Sequence, residues 1–92
     1  MPAERKINKI EYSTKFLRSL EKLPTDIQQK AEIRESIFKA DSFDSRLDTH
    51  KLHGKDAGKW AYSVDYDYRT KFLFLEGKKV LYLDIGTHDE IY

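Results

Sequence analysis

The stretch Trp60-Ala61-Tyr62-Ser63-Val64-Asp65-Tyr66 decides the fold. Large apolar residues at 60, 62, 64 and 66 alternate with small or polar ones at 61, 63 and 65. A period of two is the signature of a strand with one apolar face. Asp65 to Tyr68 then reads as a turn. Phe72-Leu73-Phe74-Leu75 is a continuous apolar run, as expected of a central strand covered on both faces. Glu76-Gly77-Lys78 has the composition of a hairpin turn, and Val80 to Ile85 forms a second central strand. Gly86 is expected to break that strand and start the tail.

Upstream, the period changes. Ile7 and Ile10 lie in a segment from Lys6 to Tyr12 that reads as an edge strand, with Ser13 and Thr14 as N-cap candidates. Tyr12, Phe16, Leu20 and Leu23, with Leu17 beside them, recur at helical spacing until Pro24 ends the pattern. Thr25 and Gln28 match a capping box, and Ile27, Ala31, Ile33, Ile37 and Phe38 form an apolar stripe to about Ala40. So short a link favours an antiparallel helical hairpin. Asp41 to Thr49 is a polar loop, and a short extra strand is expected near Lys51. The order β-α-α-β-β-β predicts one α+β domain over residues 1–92: an N-terminal strand and helical hairpin packed on one face of a small, mainly antiparallel sheet. The other face is then partly open and carries the polar residues.

The 92 residues contain 36% charged and 39% apolar side chains and twelve aromatics, a globular composition. There is no cysteine, which excludes disulfides and thiolate zinc sites. No apolar run reaches membrane-span length, and Met-Pro-Ala-Glu-Arg-Lys lacks an apolar leader core, so the expected location is the cytoplasm. The net charge of +1 is low for broad RNA binding. Locally, however, Lys51, Lys55 and Lys59 are opposed only by Asp56.

The candidate site residues all lie in the second half. Arg69 can hold a phosphate through two parallel hydrogen bonds, or pair with Asp65, Asp67 or Asp84. His88 is a candidate acid–base group, or a solvated tail histidine. Tyr92 can stack on a base or tuck against the sheet. His50 adds a further imidazole, and Lys51, His53 and Lys55 share a face if their segment is a strand, as a phosphate cradle or a charged edge. His50, His53 and His88 suit zinc chemically but match no metal-binding spacing. Trp60, Tyr62 and Tyr66 are either a base-stacking platform or core facing the helices.

Taken together, these features resemble the RelE/ParE superfamily of toxins from type II toxin–antitoxin systems, closest to the RelE- and YafQ-like mRNA interferases. The resemblance spans nearly the whole chain. It rests on the β-α-α opening, His50-Lys51-Leu52-His53-Gly54, Gly58-Lys59-Trp60, Asp67-Tyr68-Arg69 and Gly86-Thr87-His88-Asp89-Glu90-Ile91-Tyr92. It implies a metal-independent endoribonuclease, without a cofactor, that cuts mRNA in the ribosomal A site by attack of a ribose 2′-hydroxyl on the next phosphate. By position, Arg69 would stabilise the phosphate, His88 act as general acid, and Tyr92 stack or assist proton transfer. His50 and Asp67 match residues of the YafQ-like site, and Lys51, His53 and Lys55, candidate RNA-phosphate contacts, fall where RelE-like members place cationic residues. Ser63 replaces a histidine of the YafQ-like set, so the site is mixed. The implied partners are a cognate antitoxin covering the groove near Arg69 and His88, the ribosome with its mRNA, and operator DNA through the antitoxin complex only. The alternatives are a ParE-like gyrase inhibitor and a degenerate toxin that only binds its antitoxin.

Overall fold

The computed structural model describes residues 5–92. The first four residues, on which part of the leader-peptide reading rests, lie outside the described residues. Strand β1 (Lys9–Tyr12) leads into α1 (Thr14–Glu21) and α2 (Thr25–Ala40). Then come β2 (His50–Lys51), β3 (Trp60–Ser63), β4 (Tyr68–Leu75), β5 (Lys79–Thr87) and a last helix, α3 (His88–Ile91). The sheet order is β1-β5-β4-β3-β2; β1 runs parallel to β5 and all other neighbours are antiparallel. This is the α+β arrangement that the alternation predicted.

The core lies between the helices and one face of the sheet. Tyr62, Thr70 and Ile85 stand in register across β3, β4 and β5, and all are buried. Side chains opposite one another across strands share a face, so this row marks the helix side. Phe38 of α2, fully buried, stacks on Tyr62 at 4.8 Å and meets the edge of Phe72 at 4.8 Å. A bulge inserts Leu83 into β5 between the pairs Phe72↔Tyr82 and Lys71↔Asp84. It lets Val80, Tyr82 and Ile85 all face the core despite their uneven spacing.

Ser13 is the cap of α1: its Oγ accepts the Phe16 N–H at 3.0 Å and donates to the Leu83 carbonyl at 2.9 Å. The expected Thr25/Gln28 capping box is absent. Pro24 takes the cap position, and the Gln28 amide reaches back 3.0 Å to the Leu23 carbonyl. Proline has no side-chain acceptor, and its carbonyl takes the Ile27 and Gln28 N–H groups instead, each at 3.0 Å. The apolar stripes are also narrower than expected. Leu17 and Ile33 are 48% and 63% exposed, because each element buries one edge on a single sheet face.

Three strand expectations are corrected. β3 stops at Ser63, and Tyr66 sits in the following turn, 92% exposed. The outward side of β4 is only partly buried at Leu73. Gly86 does not break β5, which runs on to Thr87. Of the three aromatics, two belong to the core: Tyr62 is buried, and Trp60 packs edge-on against Phe43 and Phe74, whereas Tyr66 stands in solvent.

One carboxylate faces this core. The Tyr12 hydroxyl donates to Glu35 at 2.8 Å. Burial pushes the Glu35 carboxyl above its ordinary 4.5, with Glu32 adding to the rise, while the Tyr12 hydrogen bond and Lys39 oppose it. The raised folded pKa means the folded state binds this proton more tightly than the unfolded chain does. That stabilisation is complete at low pH and is lost as pH rises through the folded value. Glu35→Gln should remove this dependence. Its stability relative to wild type, measured by urea unfolding, is expected to increase between pH 4.5 and neutrality. An unchanged difference across that range would refute the assignment.

Candidate functional site

The face of the sheet away from α1 and α2 carries the candidate site. Ser63, Arg69 and Gly86 form its row, one residue out of phase with the core row. Ala61, Leu52 and Ile91 make a second small apolar cluster there, which seats α3 on the sheet.

The sequence carries a signal for α3. Thr87-His88-Asp89-Glu90 is a capping box: Thr87 Oγ1 accepts the Glu90 N–H at 3.4 Å, and Glu90 Oε1 accepts the Thr87 N–H at 2.7 Å. Gly86 permits it. A Cβ at Gly86 would lie 2.7 Å from Glu90 Oε1 and 3.3 Å from Glu90 Cβ. The His88 N–H also donates to the Asp67 carbonyl at 2.9 Å, tying α3 to the β3–β4 turn. His88 and Tyr92 are four residues apart, hence on one side of the helix, and their rings meet edge-on at 4.4 Å.

Asp48, His50, Arg69, His88 and Tyr92 line one open cleft of about 360 Å³. His50 Nδ1 lies 2.7 Å from the Asp48 carbonyl, which can only accept, so Nδ1 carries the proton. In the neutral ring Nε2 is then the acceptor, and the Tyr92 hydroxyl, 2.5 Å away, donates to it. Asp48 adopts the left-handed conformation (φ 51°), which aspartate tolerates better than most residues. Burial raises the Tyr92 pKa, Arg69 opposes the rise and Asp48 adds to it; the net direction is up, so the phenol keeps its proton at neutral pH.

Arg69 is held by the turn before it. Its Nη1 donates to the carbonyls of Asp65 (2.8 Å), Tyr66 (3.1 Å) and Tyr68 (3.0 Å). The ion-pair alternatives for Arg69 give way to other pairings. Asp65 meets Lys30 at 3.5 Å, and Asp84 meets Lys15 at 3.4 Å and the Ser19 hydroxyl at 2.6 Å.

Four expected residues thus converge: His50, Arg69, His88 and Tyr92. Asp67 does not line the same cleft. It borders a neighbouring hollow with Tyr68, Thr87, His88 and Asp89. Lys51, His53 and Lys55 do not share a strand face, because β2 ends at Lys51 and Gly54–Asp56 is a 3₁₀ turn. Lys51 Nζ lies 5.6 Å from the Trp60 ring centroid, and His53 lies outside the cleft, so the three histidines do not gather around one point. Sequence reasoning missed Asp48, whose role depends on a backbone angle. It named Asp56 as the charge opposed to the nearby lysines but missed that it joins Lys59 at 3.3 Å to Lys71 of β4 at 3.5 Å. Burial disfavours the Asp56 charge, but those two lysines hold its pKa below the ordinary value.

No family model and no curated protein matches the sequence. Solved structures do match. The RelBE2 toxin–antitoxin complex of Mycobacterium tuberculosis superimposes with a TM-score of 0.73 at 19% identity, covering 95% of this chain and 98% of that one. The DinJ–YafQ toxin–antitoxin complex of E. coli gives 0.70 at 17% identity, covering 95% and 98%. A YoeB/ParE toxin from Agrobacterium tumefaciens gives 0.74 at 15% identity, covering 88% and 99%. The chain has the fold of these toxins. Among the described residues, no helix is long and apolar enough to cross a membrane.

The seating of α3 is testable. Gly86→Ala should push Glu90 off the Thr87 N–H and cost the cap about 1 kcal/mol. Hydrogen exchange should then show faster exchange at the His88 and Tyr92 amides, with β3 and β4 unchanged. Equal protection throughout would sink the idea that Gly86 is there for Glu90.

Proposed function

We propose that this protein is the toxin of a type II toxin–antitoxin pair and a ribosome-dependent endoribonuclease. The observation that carries this reading is the ordered chain Asp48 carbonyl–His50–Tyr92, with Arg69 and His88 on the same cleft. Phosphodiester cleavage needs a proton acceptor, a fixed cation and a proton donor around one phosphorus, and the cleft offers one of each.

In the proposed step, Arg69 holds the non-bridging oxygens of an mRNA phosphate with the nitrogens that it does not use on the turn. The 2′-hydroxyl passes its proton to the Tyr92 oxygen while the Tyr92 proton moves to His50 Nε2. The 2′-oxygen bonds to phosphorus, the 5′-oxygen leaves, and the His88 imidazolium protonates it. The products are a 2′,3′-cyclic phosphate and a 5′-hydroxyl. Side chains supply the positive charge, so the step needs no metal. The raised pKa of Tyr92 makes it a carrier of protons rather than a standing phenolate. His50 is therefore the base, and Asp67 supports α3 through its carbonyl. Lys51, His53 and Lys55 would meet the RNA or ribosome outside the cleft. A cognate antitoxin, docking over the cleft, would neutralise the protein and carry the complex to operator DNA. The whole would act in the cytoplasm.

The test is to induce wild type, His88→Ala and Arg69→Lys in a bacterium and map the 5′ ends of a translated reporter. Wild type should create new ends at fixed codon positions, only when the message is translated. Loss of the general acid should lower cleavage by about 10²–10⁴-fold. Arg69→Lys should lose about 10²-fold or more, because a lysine cannot both brace the turn and grip a phosphate bidentately. Growth arrest with intact mRNA would instead identify a gyrase inhibitor. Intact mRNA with normal growth would leave a protein that only binds its antitoxin.

A further inference from the structure

Tyr66 is the most exposed large apolar side chain among the described residues, at 92%. A single exposed tyrosine is ordinary on a flexible loop. This one sits on a braced turn. The Asp65 carboxylate accepts the N–H groups of Asp67 and Tyr68, each at 2.9 Å. Lys30 of α2 holds that carboxylate from the other side at 3.5 Å. The Val64 N–H closes the turn on the Tyr68 carbonyl at 2.9 Å. The Tyr66 carbonyl itself accepts from Arg69 Nη1 at 3.1 Å. The backbone that carries Tyr66 is therefore tied to the guanidinium of the cleft, while the ring itself stands in solvent and the fold makes no use of it.

We infer that Tyr66 is a stacking platform for an RNA base flanking the phosphate that Arg69 holds. The inference rests on the nuclease reading above and adds a residue that selects the position of the substrate. An aromatic face binds any base, and a side chain with two torsions loses little entropy when it does so. The flanking charges agree with a base rather than a phosphate. Asp65 and Asp67 flank Tyr66 in the sequence and disfavour a phosphate on this turn, a penalty that an uncharged base does not meet. The backbone of the strand then lies on the Arg69 side and its base on the Tyr66 side.

The experiment measures mRNA cleavage on programmed ribosomes with wild type, Tyr66→Ala, Tyr66→Phe and Arg69→Ala. Tyr66→Ala should raise the half-saturating protein concentration by about 5- to 100-fold, the usual worth of one stacked base, and leave the maximal rate nearly unchanged. Tyr66→Phe should behave as wild type. Messages with an abasic nucleotide at each codon position in turn should include one on which wild type falls to the level of Tyr66→Ala, while Tyr66→Ala loses nothing more. The melting temperature of Tyr66→Ala should equal that of wild type, since the ring is solvated. If Tyr66→Ala matches wild type while Arg69→Ala loses cleavage, the nuclease reading survives and Tyr66 is idle. A Tyr66→Phe defect as large as that of Tyr66→Ala would assign the role to the hydroxyl and overturn stacking. Normal cleavage with weakened binding of the neutralising protein would give the ring to a protein interface instead. If wild type cleaves nothing and Arg69→Ala changes nothing, both readings fall together.

Discussion

Arg69 and Thr70 are neighbours in sequence and lie on opposite faces of one sheet. That alternation along β4 is the constraint on which the rest depends. Thr70 joins the buried row of Tyr62 and Ile85, and Arg69 joins the outward row of Ser63 and Gly86. Helices α1 and α2 consume one face, so the other is free to carry chemistry. A register slip of one residue would bury the guanidinium and expose Thr70. The bulge at Leu83 protects this phase, because without it Ile85 would leave the core side.

The outward face is organised by preorganised, mostly backbone contacts. The carbonyls of Asp65, Tyr66 and Tyr68 hold Arg69, the Asp48 carbonyl sets the His50 tautomer, and the Asp67 carbonyl anchors the first turn of α3. Backbone acceptors do not titrate, so these contacts keep the side chains oriented whatever the pH. Ile91, buried against Leu52 and Ala61, supplies the apolar contact that keeps so short a helix in place.

The charge distribution fits a small and local cationic site. Asp56 compensates Lys59 and Lys71, and Lys51 lies over Trp60. The side chains of Asp56 and Lys71 are mostly covered, and the effect of these pairs here is to reduce the uncompensated positive charge on the face. A protein with a net charge of +1 has little long-range pull on nucleic acid, so the proposed recognition of RNA would rest on the few groups that converge in the cleft.

The sequence by itself determined the element order, the two faces of the sheet and, with the resemblance, four of the residues that line the candidate cleft. Period two along residues 60–66 and the apolar run at 72–75 identify strands, and Pro24 marks the break between helices. Among 17 Lys and Arg, 3 His and 6 Tyr, composition alone does not single out Arg69, His88, Tyr92 and His50; the resemblance of the segments around them does. Local pattern also held the signal for α3 in Thr87 and Glu90, which a reading of Gly86 as a strand breaker obscured. Other features were not legible. The turn at Asp65 to Tyr68 was legible, but the end of β3 at Ser63 was not, since the alternation runs on through Tyr66 while the chain must reverse at Val64 for Ser63 to pair with Arg69. The phosphate-cradle face at 51, 53 and 55 dissolves for a similar reason, as Gly54 turns the backbone away after Lys51. Asp48 became a site residue only through a left-handed backbone angle that points its carbonyl at His50. Periodicity reports which way a side chain points along one element. The meeting of His50 with Tyr92, 42 residues apart, depends on the path of the chain between elements, and only the tertiary structure decides that.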